Sequence, residues 1–168
     1  MFSNINNISL KIGLQLLFTA MKKDTYIEIL ELLPYLCNDI PTTISVVNMI
    51  AEYLENHTSV VFPKNIEMVI LQNVLQWINS DNLDIRWSAT RIILTMLRNP
   101  ENQNIVNHKL INLIDSENLY IKNLITKSVY STKGITDTTK NYIISKCEHD
   151  ANYVVRLVCT EVKETHKA

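Results

Sequence analysis

An eleven-residue pattern occurs three times from the middle of the chain onward. DNLDIRWSATR at residues 81–91 aligns with ENLYIKNLITK at 117–127 and with ANYVVRLVCTE at 151–161, at offsets of 36 and 34 residues. Four columns keep one kind of residue: Asn82, Asn118 and Asn152; Ile85, Ile121 and Val155; Arg86, Lys122 and Arg156; Thr90, Thr126 and Thr160. Recurrence at this period is typical of repeat proteins, in which each copy is one unit that stacks on the next.

A second amphipathic segment precedes each copy. These segments, at residues 66–79, 104–114 and 138–148, place apolar side chains three residues apart, as on one face of a helix. The corresponding apolar residues are Val74, Leu110 and Ile144, followed by Trp77, Leu113 and Cys147. The repeating unit is therefore predicted to be a helical hairpin.

An earlier and more divergent hairpin is predicted at residues 25–39 and 41–56, and residues 5–21 supply one further helix. The chain has only 2 glycines and 4 prolines, which leaves little material for the turns of a β-sandwich or for a glycine-rich phosphate loop. We predict an all-α protein of nine helices, four hairpins after an N-terminal helix, in a single domain over residues 1–168.

Residues suited to capping stand at the predicted helix starts. Pro41 fits a first turn because its missing N–H would be unpaired there, and Asp39 can serve the adjoining cap. Asn82, Asn118 and Asn152 each stand just before a second helix. We expect their side chains to accept hydrogen bonds from the exposed backbone N–H groups.

The repeat resembles the HEAT-repeat family of α-solenoids over about residues 24–165. Second helices of that family typically begin with an aspartate turn and a Val-Arg-x-x-Ala pattern. Three segments resemble it: 85–89, 121–125 and 155–159. Asp150 stands where the family aspartate belongs, whereas Asp81 and Asp115 are each displaced by one residue. The resemblance implies an α-solenoid with second helices along its concave surface, and it specifies fold more than function.

The second helix around Trp87 has two different faces at 100° per residue. Its apolar face carries Ile85, Ala89, Ile92, Ile93 and Met96. Its other face carries Asp84, Trp87, Arg91, Leu94 and Arg98, and the resemblance would turn this face to a groove. Equivalent positions in the other hairpins include Met49, Tyr53, Asn123, Lys127, Tyr130, Leu157 and Glu161.

Aromatic residues and arginine are enriched in protein interfaces, so this row of residues is a candidate partner-binding surface. The predicted partner-binding residues are Met49, Tyr53, Trp87, Arg91, Leu94, Arg98, Lys127 and Tyr130. The alternative is that Trp87 and Leu94 pack against neighbouring repeats. No catalytic residue is predicted, because the four histidines are dispersed and no serine lies in a glycine-flanked elbow.

The net charge and the cysteine positions limit the partners and the cellular location that the sequence predicts. The formal net charge of -1 argues against nucleic acid, whose binding needs clustered cations. Cys37, Cys147 and Cys159 lack the spacing of a zinc site and are interpreted as reduced, buried side chains. The start of the chain lacks the charge pattern of a signal peptide, and no stretch is long enough to span a membrane. A cytoplasmic protein with neither metal nor cofactor is expected.

Three functions are compatible with this pattern. The first is a non-enzymatic protein-binding module that acts as an adaptor, a subunit or an inhibitor. An inhibitor of this kind could be a bacterial immunity protein, whose acidic stretch at 39–84, with six Asp or Glu against one Lys, would meet a basic toxin. The resemblance also allows a HEAT-like DNA glycosylase that acts on alkylated bases. The third function is a small-ligand or chromophore-binding scaffold.

Overall fold

The structure is a computed structural model that describes Cys37, residues 39–57 and residues 62–167. In these residues it has α-helices, one short 3₁₀ helix at Pro100–Asn102 and no β-strand, which confirms the all-α class. The helices are α1 (Ile40–Asn56), α2 (Lys64–Trp77), α3 (Leu83–Met96), α4 (Gln103–Ser116), α5 (Leu119–Ser128), α6 (Asp137–Glu148) and α7 (Tyr153–Lys167). The helix predicted at 5–21 lies outside the described residues, as does nearly all of the one predicted at 25–39.

The predicted caps are present at four helix starts. Asp39 Oδ1 accepts a hydrogen bond from the Thr42 amide at 2.9 Å, and Pro41 stands in the first turn of α1. Asn82, Asn118 and Asn152 cap α3, α5 and α7. Their side-chain oxygens accept at 2.9–3.2 Å from the amides of Asp84 and Ile85, of Tyr120 and Ile121, and of Val154, respectively. The asparagine column of the sequence repeat is thus a capping column.

The threonine column makes the same local hydrogen bond in all three copies of the repeat, and the cationic column does so in two of them. Each threonine hydroxyl donates to the carbonyl of the cationic residue four positions earlier, at 2.7–3.1 Å; the donors are Thr90, Thr126 and Thr160. Arg86 and Arg156 each donate from Nη1, at 2.6 Å, to the carbonyl oxygen six residues before. The asparagine and threonine columns therefore have the same local structure in every copy, whereas Lys122 instead contacts the Asp150 carboxylate.

The chain divides into two compact units, Met1–Ile92 and Ile93–Ala168, and the division falls within the continuous helix α3. The single-domain organisation stays a prediction. In the first unit, the described core is built from aliphatic residues of α1, α2 and α3. Its most deeply buried members include Val46, Val47, Ile50, Ala51, Ile66, Ile70, Val74, Ala89 and Ile92. Trp77 belongs to the same core with 8% of its surface exposed, as its alignment with Leu113 and Cys147 predicts.

The second unit contains two helical hairpins, α4 with α5 and α6 with α7. The first helices α4 and α6 contact each other, and so do the second helices α5 and α7. Its core includes Val106, Leu110, Ile114, Ile121, Ile125, Val129, Ile143 and Val155. Within this unit the hairpins therefore pack first helix on first helix and second helix on second helix.

The predicted apolar face of α3 is buried. Ile85, Ala89, Ile92 and Ile93 are at most 4% exposed, and Met96 is 6% exposed. Cys147 and Cys159 are buried free thiols, as predicted, whereas the free thiol of Cys37 is half-buried.

Two features of the described ranges bear on membrane and metal sites. In those ranges no helix has both the length and the apolar character needed to cross a membrane. The same residues contain no group of three or more His, Cys, Asp or Glu side chains arranged to hold a metal ion.

Candidate functional site

In the first unit, the predicted site residues lie on two neighbouring second helices. Met49 and Tyr53 on α1 and Trp87 on α3 are all half-buried. Tyr53 stacks on the ring of His57, with ring centroids 4.2 Å apart. Burial raises the pKa of the Tyr53 hydroxyl. These side chains offer only part of their surface to a partner.

The Arg91 side chain is hydrogen-bonded to other residues of the first unit. Its Nε donates to Glu55 Oε1 at 2.9 Å, its Nη2 contacts Glu55 Oε2, and its Nη1 donates to Asn48 Oδ1 at 2.8 Å. Hydrogen bonding with the Glu55 carboxylate raises the pKa of Arg91. A bidentate pair of this geometry is among the stronger ionic contacts in proteins. Arg91 therefore ties α3 to α1.

Leu94 and Arg98 have very different environments in the second unit. Leu94 is only 6% exposed and belongs to the core, so it is not an accessible partner-binding residue. A helical wheel gives the directions of side chains but cannot show that a helix is covered on more than one side. Arg98 is exposed in the turn that follows α3.

Lys127 and Tyr130 line a cleft of about 410 Å³ where the end of α5 faces α7. The other residues that line it are Ser131, Glu161, Val162, Thr165 and His166. Tyr130 and His166 form one wall as a stacked pair, with ring centroids 3.9 Å apart and planes inclined by 12°. The structure thus brings together two predicted site residues with Glu161, which holds the equivalent repeat position on α7.

Exposed apolar side chains extend from this cleft along both helices. Of the seven large apolar residues exposed in the described part of the chain, four lie on α5 and α7: Tyr120 at 57%, Tyr153 at 66%, Val154 at 45% and Leu157 at 42%. On α5, Tyr120 is seven residues before Lys127; on α7, Leu157 is four residues before Glu161. Such spacings keep side chains on one helical stripe. Because Lys127 and Glu161 line the same cleft, the two stripes lie side by side.

We call this region the second-helix surface, defined by Tyr120, Lys127, Tyr130, Tyr153, Val154, Leu157 and Glu161. Sequence reasoning placed Lys127 and Tyr130 here but did not select Tyr120 or Val154. Both follow a capping asparagine by two residues and so share one column of the repeat. That column also contains Asp84, on the polar face of α3, and this shared position is the sequence signal that indicates them. His166 lies beyond the aligned segment, and no sequence signal points to its stacking on Tyr130.

The charged side chains of the second-helix surface take no part in the ion pairs of the same unit. Elsewhere in it, ion pairs between different elements join Lys122 of α5 with Asp150 in the turn before α7 at 2.6 Å, Lys146 with Asp115 at 3.0 Å, and Lys163 with Glu148. Around Asp115, hydrogen bonds from Tyr142 and Lys146 lower the pKa of the carboxyl group. Lys127 and Glu161 form no ion pair with each other or with any other described residue. Both charges thus remain available in the cleft.

Comparison of the chain with protein-family models, with curated proteins and with solved structures finds no match. The choice of function therefore rests on the geometry of the second-helix surface and on the chemistry of its side chains.

Proposed function

We propose that the protein is a non-enzymatic, HEAT-like α-solenoid that binds another protein through its second helices, as an adaptor, a subunit or an inhibitor. The observation that carries this proposal is the grouping of four exposed apolar residues on the adjacent helices α5 and α7, next to a cleft. Contiguous exposed apolar surface with a polar border is characteristic of interaction sites.

The solenoid part of the proposal is supported by the repeated local structure. The capping asparagines and the threonine hydrogen bonds recur in three copies. In the second unit, first helices pack together and second helices pack together, which is the arrangement that stacked hairpins need. Repetition of this packing along the chain would generate an extended surface of second helices.

The energetic case for binding rests on desolvation of the apolar side chains. Complete burial of a leucine or valine stabilises by roughly 1.5–3 kcal/mol relative to exposure. Val154 and Leu157 are about half exposed, so each can still contribute about 1 kcal/mol when a partner covers it. The tyrosines Tyr120 and Tyr153 add large rigid contact areas and hydroxyl groups, as anchor residues of interfaces do.

The proposal can be tested by capture of partners from the native cell with matched variants. Leu157→Asp places a charge on the second-helix surface, and Ile105→Asp places the same charge on the first helix α4, where Ile105 is 48% exposed. We expect the wild type and Ile105→Asp to retain the same partner and Leu157→Asp to lose it. Retention by both variants, or loss from both while both stay folded by circular dichroism, would reject this surface as the binding site.

A further inference from the structure

The cleft at the end of α5 holds a cation and an anion that do not pair. Lys127 and Glu161 both line it, yet no ion pair joins them. Two opposite charges in one cleft attract, and where side chains can meet they commonly do so. Their separation leaves two charged groups for an occupant that carries the complementary pair.

In the first unit, the equivalent position of the repeat carries a cation that does form an ion pair. Arg91, Lys127 and Glu161 occupy the same column of the sequence repeat. Arg91 meets an acidic residue of a neighbouring second helix, Glu55, in a bidentate contact. Lys127 likewise has an acidic residue on a neighbouring second helix, Glu161, but a cleft of about 410 Å³ is open beside them. One column of the repeat therefore provides an ion pair between helices in the first unit and two unpaired charges that line a cleft in the second.

We propose that this cleft binds a segment of the protein partner that carries both an acidic and a basic side chain. This inference rests on the proposed protein-binding function and specifies the chemistry of the bound segment. The acidic side chain pairs with Lys127, and the basic one pairs with Glu161. The stacked rings of Tyr130 and His166 form a flat wall for the intervening chain, with 12° between their planes.

Charge complementarity selects this occupant over simpler ones. A segment with only an acidic side chain would bring a second negative charge close to Glu161. A segment with only a basic side chain would bring a second positive charge close to Lys127. Like charges brought together at an interface disfavour the wrong partner. An uncharged segment would desolvate both groups without pairing either of them. The dipolar segment satisfies both charges at once.

Short blocked peptides can test this inference on the full-length protein. The probes are acetyl-Glu-Ala-Lys-amide and acetyl-Lys-Ala-Glu-amide, because the direction of the bound chain is open. The comparison peptides replace either charged residue by Gln, and glycine serves as a small zwitterion. Binding is followed by nuclear magnetic resonance shifts of the Tyr130 and Val162 amides. We expect the better dipolar peptide to bind about two- to fivefold more tightly than either singly charged form, as for solvent-accessible ion pairs.

Variants of the two cleft charges complete the test. In Lys127→Gln, the acidic side chain of the peptide should no longer increase its affinity, while the basic side chain still should. In Glu161→Gln, the basic side chain should no longer increase the affinity, while the acidic side chain still should. Lys133→Gln, an exposed lysine that does not line the cleft, is the matched control and should leave both advantages in place.

Three results would overturn the inference: no saturable shift at the cleft, equal affinity for dipolar and singly charged peptides, or glycine binding with the same dependence on both variants. If Leu157→Asp abolishes partner capture while Lys127→Gln and Glu161→Gln leave the affinity for the captured partner unchanged, the proposed function stands and the cleft inference fails. If none of these three variants affects partner capture, the proposed function is rejected, whatever the peptides show.

Discussion

At the scale of single residues, Gly134 has little freedom to change. It lies in the turn between α5 and α6 with φ at 93°, in the left-handed region that favours glycine. A Cβ at this position would lie 2.3 Å from the carbonyl oxygen of Leu97 and 2.9 Å from Gln103 Nε2. The Gly134 carbonyl also accepts a hydrogen bond from Asn107 Nδ2 at 2.9 Å. The turn is thus held against the start of α4.

We predict that Gly134→Ala lowers the free energy of unfolding by more than ~1 kcal/mol, because both the backbone conformation and the close approach are incompatible with a side chain. Urea denaturation measures this change. Ser131→Ala in the same turn is the control and should change stability by less than ~0.5 kcal/mol, since Ser131 is exposed. A Gly134→Ala loss no larger than that of the control would show that the turn can relax around a methyl group.

The two tryptophans should respond differently to truncation. Trp77 is 8% exposed in the core of the first unit, so Trp77→Ala should cost about 3–5 kcal/mol of unfolding free energy. Trp87 is half-buried, and Trp87→Ala should cost less because part of the ring already faces solvent. Thermal or urea unfolding of the two variants gives the comparison. An equal or larger loss for Trp87→Ala would show that Trp87 is a packing residue and would remove it from the candidate surface residues.

At the scale of elements, a capping asparagine fixes the start of the second helices α3, α5 and α7. Asn118 accepts hydrogen bonds from the amides of Tyr120 and Ile121 at 3.1 and 3.2 Å. Asn118→Ala should destabilise the protein by about 0.5–2 kcal/mol, and Asn118→Gly by only a few tenths, which is the signature of a cap. Chemical denaturation of both variants, with Asn141→Ala on the exposed side of α6 as control, measures this difference. Equal losses for the alanine and glycine variants would contradict the capping role.

Cys159 on α7 gives a pH-dependent contribution to stability. Burial raises the pKa of this thiol from its ordinary 9.0 to about 11. The unfolded chain therefore releases its proton at lower pH than the folded protein, so the contribution of the thiol is intact below about pH 9 and is lost as the pH rises towards 11. Over this window we expect the unfolding free energy of the wild type to fall more steeply than that of Cys159→Ala. Parallel curves for the two proteins would exclude this contribution.

The elements could be predicted from the sequence because their signals are local. Apolar spacing along the chain placed the helices, and the repeated asparagines placed the starts of α3, α5 and α7. The site was harder to predict from the sequence, because the burial and the pairing of its side chains depend on neighbours that are distant in the chain. Leu94 is covered by such neighbours. The pairing of Arg91 with Glu55 joins residues 36 positions apart, and no periodicity indicates it.

At the scale of the whole molecule, one repeated sequence pattern serves two different purposes. Its asparagine and threonine columns build the same local structure in each copy, while its outward-facing columns vary. The column of Arg91, Lys127 and Glu161 forms a bidentate tie in the first unit and leaves a cleft in the second. Changes in outward-facing columns can give a repeat scaffold a binding surface without loss of its packing.

The most direct test of the central claim, that the second-helix surface binds a protein, is site-specific photocrosslinking in the native cell. A photoreactive phenylalanine analogue replaces Tyr120 in one variant and Ile105 in another; these residues are 57% and 48% exposed and lie on α5 and α4, respectively. We predict a discrete protein adduct from the Tyr120 position, lost when Leu157→Asp is added, and no such adduct from the Ile105 position. The same adducts from both positions, or none from Tyr120 in a folded and abundant protein, would contradict the claim.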